Sequence, residues 1–467
     1  MKDMTKGSPI RLILGFAIPL FFGMLFQQFY NLVDMIIVGR FLGASALAAV
    51  GATGSINFMI IGFCMGVCNG FAIPVAQKFG AKDEKQLRYY VANSVWLSII
   101  FAVVMTVTVS LLCRNILVWM DTPEDIFDAS YAYIIVIFIG IPVTYLYNLL
   151  SGIMRSLGDS KSPLIFLVIS SVLNIAFDII AIAGMHLGVA GAAGATVLAQ
   201  AISGVCCLIY LIKKFPILRV HGEEWRWRGH FVARLCGMGI PMGLQYSITA
   251  IGSVILQTAV NGLGSVVVAS MTAGGKLSMF FCCPFDAFGS TMATYAGQNL
   301  GAGKLDRVTK GMVQCSFVAA GYSIVAAIVM ILFGKNFALL FVDSTEVEII
   351  RNVAKLLIIN SLFFIPLALV NIIRFAIQGL GFGKLAIFAG VAEMVGRSIV
   401  GFGFVARFGF VAACLASLPR QPDCLDPCGY FSDSGLCLLY PEIKTDNSGK
   451  KGIKGLSYGG YFCIIVS

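Results

Sequence analysis

The sequence predicts an all-α polytopic membrane protein of two six-helix lobes, and three observations lead there. The 467-residue chain is 58% hydrophobic and only 12% charged, where a soluble domain is closer to a quarter charged, and its mean hydropathy is +0.89. The apolar stretches are long and lack period-2 alternation, which selects a helix bundle over an outer-membrane barrel. These stretches also fall into two similar sets on either side of one basic linker. The net charge of +10 does not point to nucleic acid, because Lys and Arg sit mostly in short loops, where they set topology.

The first lobe, residues 1–212, is expected to hold spans at about 12–38, 46–76, 91–112, 127–153, 162–184 and 189–212. A basic linker, 213–236, follows. The second lobe, 237–417, is expected to hold spans at about 238–261, 266–296, 312–333, 353–377 and 385–406, with a twelfth beginning near Gly409. Each is long enough for a bilayer, which needs about 20 apolar residues. Pro19, Pro142, Pro241 and Pro366 fall inside spans, where prolines often mark hinges. Lys2, Lys6 and Arg11 precede a run too long and too studded with polar residues for a cleavable signal, and no small-residue cleavage site ends it. Most of the 14 cysteines lie in apolar spans and read as small hydrophobes. The three histidines, His186, His221 and His230, all fall in expected loops, and no zinc-site spacing is present.

Loop charge sets the orientation. One set of loops carries Lys2, Lys6 and Arg11; Lys78, Lys82, Lys85 and Arg88; Arg155 and Lys161; the linker's six basic residues; Lys304, Arg307 and Lys310; and Lys384. The other set is poorer in bases and richer in Asp and Glu. The positive-inside rule puts the N-terminus and the linker in the cytoplasm, in a multi-pass protein of the cell inner (plasma) membrane.

The two sets of spans look duplicated. Pro19 aligns with Pro241, Gln77 with Gln298, Gly158 with Gly381 and Lys161 with Lys384, at offsets of 221–223 residues. An even number of spans per repeat gives parallel repeats related by an axis along the membrane normal, a transporter plan.

Within the first span, IPLFFGMLFQQFYNLVDMIIVG, Gln27, Asn31 and Asp34 share one helix face, with Tyr30 one turn from Asp34. A carboxylate at the bilayer centre costs about 2.5–3.5 kcal/mol on insertion scales, so it normally faces a bundle interior. Asn174 and Asp178 are four apart in the fifth span, and Thr196 and Gln200 lie in the Gly/Ala-rich start of the sixth. The aligned second-half positions for Asp34, Asn174 and Asp178 are Leu256, Arg397 and Gly401, so the acidic cluster belongs to the first lobe alone. Two carboxylates, an amide and a hydroxyl suit a small hard cation. They could equally share a proton or form a satisfied polar core. In the second lobe Glu393 and Arg397 read as a local i,i+4 pair, while Lys276, Asp286 and Arg374 have no charged partner at that spacing and are candidates to line a central cavity.

These motifs together resemble the multidrug and toxic compound extrusion family. The matching stretches are QQFYNLVDMIIVGRFLG, GAKDEKQL, MRSLGDSKSP, NIAFD, GVAGAAGATVLAQ and ATYAGQNLGAGK, and the resemblance covers about residues 8–417. It implies two lobes in a V around a central cavity, and export of organic cations and drugs in exchange for Na⁺ or H⁺. It implies a cation or proton site at Asp34, Asn174, Asp178 and Thr196, with Gln27, Tyr30, Asn31, Gln200, Lys276, Asp286 and Arg374 as further cavity candidates. No cofactor beyond the coupling ion, no enzymatic activity and no nucleic-acid partner are expected. The expected unit is a monomer among membrane lipids. A related reading is a flippase of lipid-linked sugars, which calls for a strongly cationic cavity.

The chain departs from the family at about Leu418. Pro419, Pro422 and Pro427 with Asp423 and Asp426 argue against a span, so 418–467 is expected to be a non-membrane tail, read as a reading-frame change near the gene's end. About nine helical residues from Gly409 cover about 14 Å, half of a hydrocarbon core of about 30 Å. The twelfth helix is therefore expected to be incomplete, and an inactive truncated product is the remaining alternative.

Overall fold

The computed structural model describes residues 2–339, 345–405, 409–411 and 413–414, with short strand segments between 431 and 463. The helices are α1 (Pro9–Leu42), α2 (Ala44–Ala52), α3 (Gly54–Gly80), α4 (Glu84–Trp119), α5 (Glu124–Ile139), α6 (Ile141–Ser156), α7 (Lys161–Ile179) and α8 (Gly188–Lys214) in the first lobe. The second has α9 (Gly229–Asn261), α10 (Ser265–Gly301), α11 (Leu305–Ala338), α12 (Val347–Leu362), α13 (Phe364–Gly379) and α14 (Leu385–Ile399). Nine of the described helices are long and apolar enough to span a bilayer, and two bent pairs, α5 with α6 and α12 with α13, raise the number to 11. Leu111, Trp119, Phe317 and Leu332 stand well exposed on these helices, as lipid-facing side chains do.

Local sequence explains the ends and breaks. Asp83 caps α4, its side chain accepting from the Gln86 N–H at 3.0 Å. Glu124 and Asp125 lie in the first turn of α5, where the helix dipole favours them. The bends of 47° between α5 and α6 and 51° between α12 and α13 fall at Gly140–Pro142 and Phe363–Pro366, where proline removes an N–H. Pro19 and Pro241, expected as hinges too, sit inside continuous α1 and α9. The second span, expected unbroken from 46, divides at Thr53 into α2 and α3.

The repeat is visible in the backbone. The bends recur at matching places, and each lobe's α7 or α14 runs into a π-helical turn, Ile180–Gly184 and Val400–Phe404. Between the lobes, α3 packs along α9 and α10, and α1 along α10. Gly80 touches the Gln298 carbonyl while Gly301 touches that of Gln77, so a Cβ at either glycine would collide with backbone. These are equivalent residues of the two repeats making reciprocal contacts, the signature of an approximate two-fold axis.

The same ends are sealed by the N-terminus. Lys2 N–H donates to Leu157 O of the first lobe, and Met4 N–H to Gln298 Oε1 of the second at 2.9 Å. Lys304 Nζ donates to Thr5 O at 2.9 Å and Arg307 Nη2 to Gly7 O at 3.0 Å. Met4 is fully buried.

The segment joining the lobes is 215–228, shorter than the 213–236 expected, because Gly229–Cys236 is already helical. It is pinned to α4. Arg88 Nε donates to both Glu224 oxygens at 2.8 and 2.9 Å, and Trp96 Nε1 donates to Trp225 O at 3.0 Å. Burial pushes the Glu224 carboxyl up, but the His221 N–H and the Arg88 guanidinium pull harder and hold it below the usual carboxylate range.

After Phe404 helical geometry persists through the described residues to 414. Of the expected tail, 418–467, the described residues are strand segments: Phe431–Ser432 pairs antiparallel with Gly435–Leu439, which pairs with Tyr461–Cys463, and Lys444–Thr445 pairs with Lys451–Gly452. The rest of the tail lies outside the described residues.

Candidate functional site

Asp34 of α1, Asn174 and Asp178 of α7 and Thr196 of α8 converge inside the first lobe. Asn174 Nδ2 donates to Thr196 Oγ1 at 3.1 Å, and Tyr30 OH lies 3.3 Å from the same oxygen. Thr196 Oγ1 donates to Ala192 O at 3.2 Å, one turn back. The four-residue spacing of Asn174 and Asp178 stacks them on one face of α7, and the Gly/Ala-rich start of α8 lets that helix approach.

Asp178 is fully buried and Asn174 is 1% exposed. Asp34 Oδ1, Asn174 Oδ1 and both Asp178 oxygens are buried and receive no hydrogen bond among the described residues. The Asp34 and Asp178 carboxyls lie within electrostatic range of each other. Two ionised carboxylates held near each other repel, and a proton on one of them or a cation between them would relieve that repulsion. Hydrocarbon does not tolerate such a set of bare acceptors. The donor chemistry, all hard oxygen, fits Na⁺ as well as a shared proton.

Two features of this site escaped the sequence reading. Tyr133 of α5 is buried within electrostatic range of Asp34, Asp178 and Tyr30. Its position in a long apolar run carried no signal. The π-helical turn also begins just past Asp178, and such turns are frequent at functional sites. Below the oxygens, Ile37, Val38, Ile182 and Ala192 form a buried apolar cluster.

The other candidates scatter. Gln27 and Asn31 are exposed on α1. Gln200 accepts from Thr144 Oγ1 at 3.0 Å, inside the first lobe. Lys276 reaches from α10 to the Met35 sulfur of α1 at 3.5 Å, which joins the lobes. Arg374 donates to Asn371 Oδ1 at 3.0 Å, a polar partner three residues back, and lines a small cavity with Gln245, Thr249 and Gln378. Asp286 is half-buried on α10. Arg155, counted above among loop charges, instead ends α6 and points into the space between the lobes, donating to Asn69 Oδ1 at 3.0 Å. Glu393 and Arg397 do pair, at 2.8 Å, but are buried, and both reach α9: Thr249 Oγ1 donates to Glu393 at 3.0 Å, and Arg397 to Ser253.

Comparison with known proteins agrees with this architecture. The MatE family model matches twice, over residues 19–180 and 241–402. These are the two repeats at the offset read above. The chain is 28% identical over 366 residues to the probable multidrug resistance protein YoeA of Bacillus subtilis (strain 168), covering 77% of this chain and 79% of that one. It is 29% identical over 348 residues to the probable multidrug resistance protein YpnP of the same organism, covering 74% and 77%. A solved outward-facing multidrug resistance MATE family transporter of the MOP superfamily superposes with a TM-score of 0.84 at 22% identity, over 91% of this chain and 95% of that one.

Proposed function

The chain belongs to the MatE family, and on that premise we propose that it is a secondary antiporter that exports drugs and organic cations in exchange for Na⁺ or H⁺. The observation that carries this is the set of buried, donorless oxygens of Asp34, Asn174 and Asp178. The relatives described as probable multidrug resistance proteins support a drug-like cargo.

In this reading the coupling ion neutralises the Asp34–Asp178 pair, with Thr196 and Asn174 holding the neighbouring oxygens in place. Parallel-repeat transporters rock one lobe against the other. Here the sealed ends at Gln77 and Gln298, together with the N-terminal segment, would have to part in each cycle. The test uses purified full-length protein in liposomes loaded with ethidium, under an imposed Na⁺ or pH gradient. Ethidium efflux should follow one gradient and stop when that gradient is dissipated. Efflux indifferent to both gradients sinks the antiport reading.

The proposed setting is the cell inner membrane, as a monomer among lipids, with the N-terminus and the 215–228 segment cytoplasmic. Gly229 is exposed at the start of α9. A Gly229→Cys variant should take up no more membrane-impermeant thiol reagent than its unsubstituted parent in intact cells, and more than the parent after lysis. Ready labelling from outside would reverse the orientation.

A further inference from the structure

Among the described residues Arg155 is a cation inside the protein with no counter-charge. Its side chain is half-buried and faces a cavity between the lobes. Of its five N–H donors, one bonds Asn69 Oδ1 at 3.0 Å. No described carboxylate comes within ion-pair distance of it, and the ionisable groups that act on it electrostatically are Tyr147, Tyr246 and the Cys68 thiol. Charged side chains in a membrane protein's interior are ordinarily paired, so the unspent donors need an explanation.

The cavity supplies one. Across from Arg155 the second lobe contributes Ser290 and Thr294, and Phe375 adds an apolar wall. Thr294 Oγ1 is used locally, donating to Ser290 O at 3.4 Å. The Ser290 hydroxyl makes no hydrogen bond among the described residues. The polar lining is therefore rich in donors and contains no acid. The cavity sits directly behind the seal, since Gln298 Nε2 donates to Ser156 O at 2.8 Å at its edge. Arg155 is thus among the first charges that a molecule passing the seal would meet.

We propose that Arg155, with Ser290 opposite, binds an anionic group, carboxylate or phosphate, of the transported molecule. The proposal rests on reading the interlobe cavity as the transport path. It widens the cargo from organic cations to anions and zwitterions. A guanidinium takes a planar carboxylate or phosphate through two parallel N–H bonds. A group held by Arg155 on one lobe and Ser290 on the other would also tie its binding to the closure of the lobes.

Two fluorescent probes that differ in charge test this: dansylglycine, which carries a carboxylate, and dansyl-ethylenediamine, which carries an ammonium. Binding is measured to full-length protein in phosphatidylcholine nanodiscs. Dansylglycine should bind wild type, lose about tenfold in affinity in Arg155→Gln and recover part of it in Arg155→Lys, following the strength of charge-assisted hydrogen bonds. The ammonium probe should not weaken in Arg155→Gln. Ser290→Ala, which breaks no bond of the fold, should also weaken dansylglycine, and this keeps the test open if Arg155→Gln does not fold. Displacement of dansylglycine on enriching the discs in phosphatidylglycerol would assign the anionic group to a lipid headgroup; persistence would assign it to a soluble molecule. Equal dansylglycine affinity in wild type and either weakened variant overturns the site. The antiport reading is read out separately, by gradient-driven ethidium efflux, so its failure is distinguishable from failure of this site.

Discussion

Asp34→Asn abolishes gradient-driven export while the protein stays folded: this is the largest functional effect expected. The substitution removes one of two carboxylates in a cluster where Asp34 Oδ1, Asn174 Oδ1 and both Asp178 oxygens have no donor among the described residues. It also supplies an amide N–H₂ that can donate to Asp178, taking the place of a proton or cation between the pair. The variant should therefore behave as if permanently loaded. Efflux of ethidium from liposomes should fall to background. The thermal midpoint in detergent should stay level or rise, since a buried charge without a partner is costly. Any stabilisation of wild type by added Na⁺, or by acid, should vanish in the variant, because ligand binding stabilises only where the site exists. Efflux at the wild-type rate from well-folded Asp34→Asn would place the coupling site elsewhere.

Glu393→Gln should give the largest loss of stability. Read as an i,i+4 surface pair, Glu393 and Arg397 would contribute about 0.5 kcal/mol or less. The structure overturns that expectation. Glu393 is 1% and Arg397 8% exposed, and their contact is 2.8 Å. Thr249 and Ser253 of α9 bond the same two side chains, so the pair ties α14 to α9. Removing one charge strands the other, which costs about 3–5 kcal/mol for a buried pair. Glu393→Gln should lower the thermal midpoint and the monodisperse yield, whereas the double variant Glu393→Leu with Arg397→Met should recover much of both. An export defect that follows the stability loss, and returns with the double variant, marks a structural pair. A defect that persists in the well-folded double variant would mean that the second lobe holds a site of its own.

Much of this protein is set by local sequence. Apolar length alone placed the spans, because a bilayer admits no other backbone solution than helices and closed barrels. The repeat followed from matched residues such as Pro19 with Pro241 and Gln77 with Gln298, and the two MatE matches fall on the same offset. Asp34, Asn174, Asp178 and Thr196 were legible as candidates because a polar residue in an apolar run is conspicuous, and helical spacing says which of them share a face.

What the sequence could not decide is what lies across a gap. Whether Asp34 meets Asp178 depends on the packing of α1 against α7, and no spacing along the chain encodes that. Arg155 looked like a loop charge because it lies a few residues from Asp159 and Lys161, yet the last turn of α6 carries it inward to Asn69. Glu393 and Arg397 looked local because four residues separate them, and only α9 packed over them makes the pair buried and strong. Tyr133 and the π-helical turn after Asp178 left no mark in composition. In each case the sequence determined the side chain and the helix that carries it. Tertiary packing decided what surrounds it, because the cost of a charge or a bare oxygen depends on the neighbours that replace water.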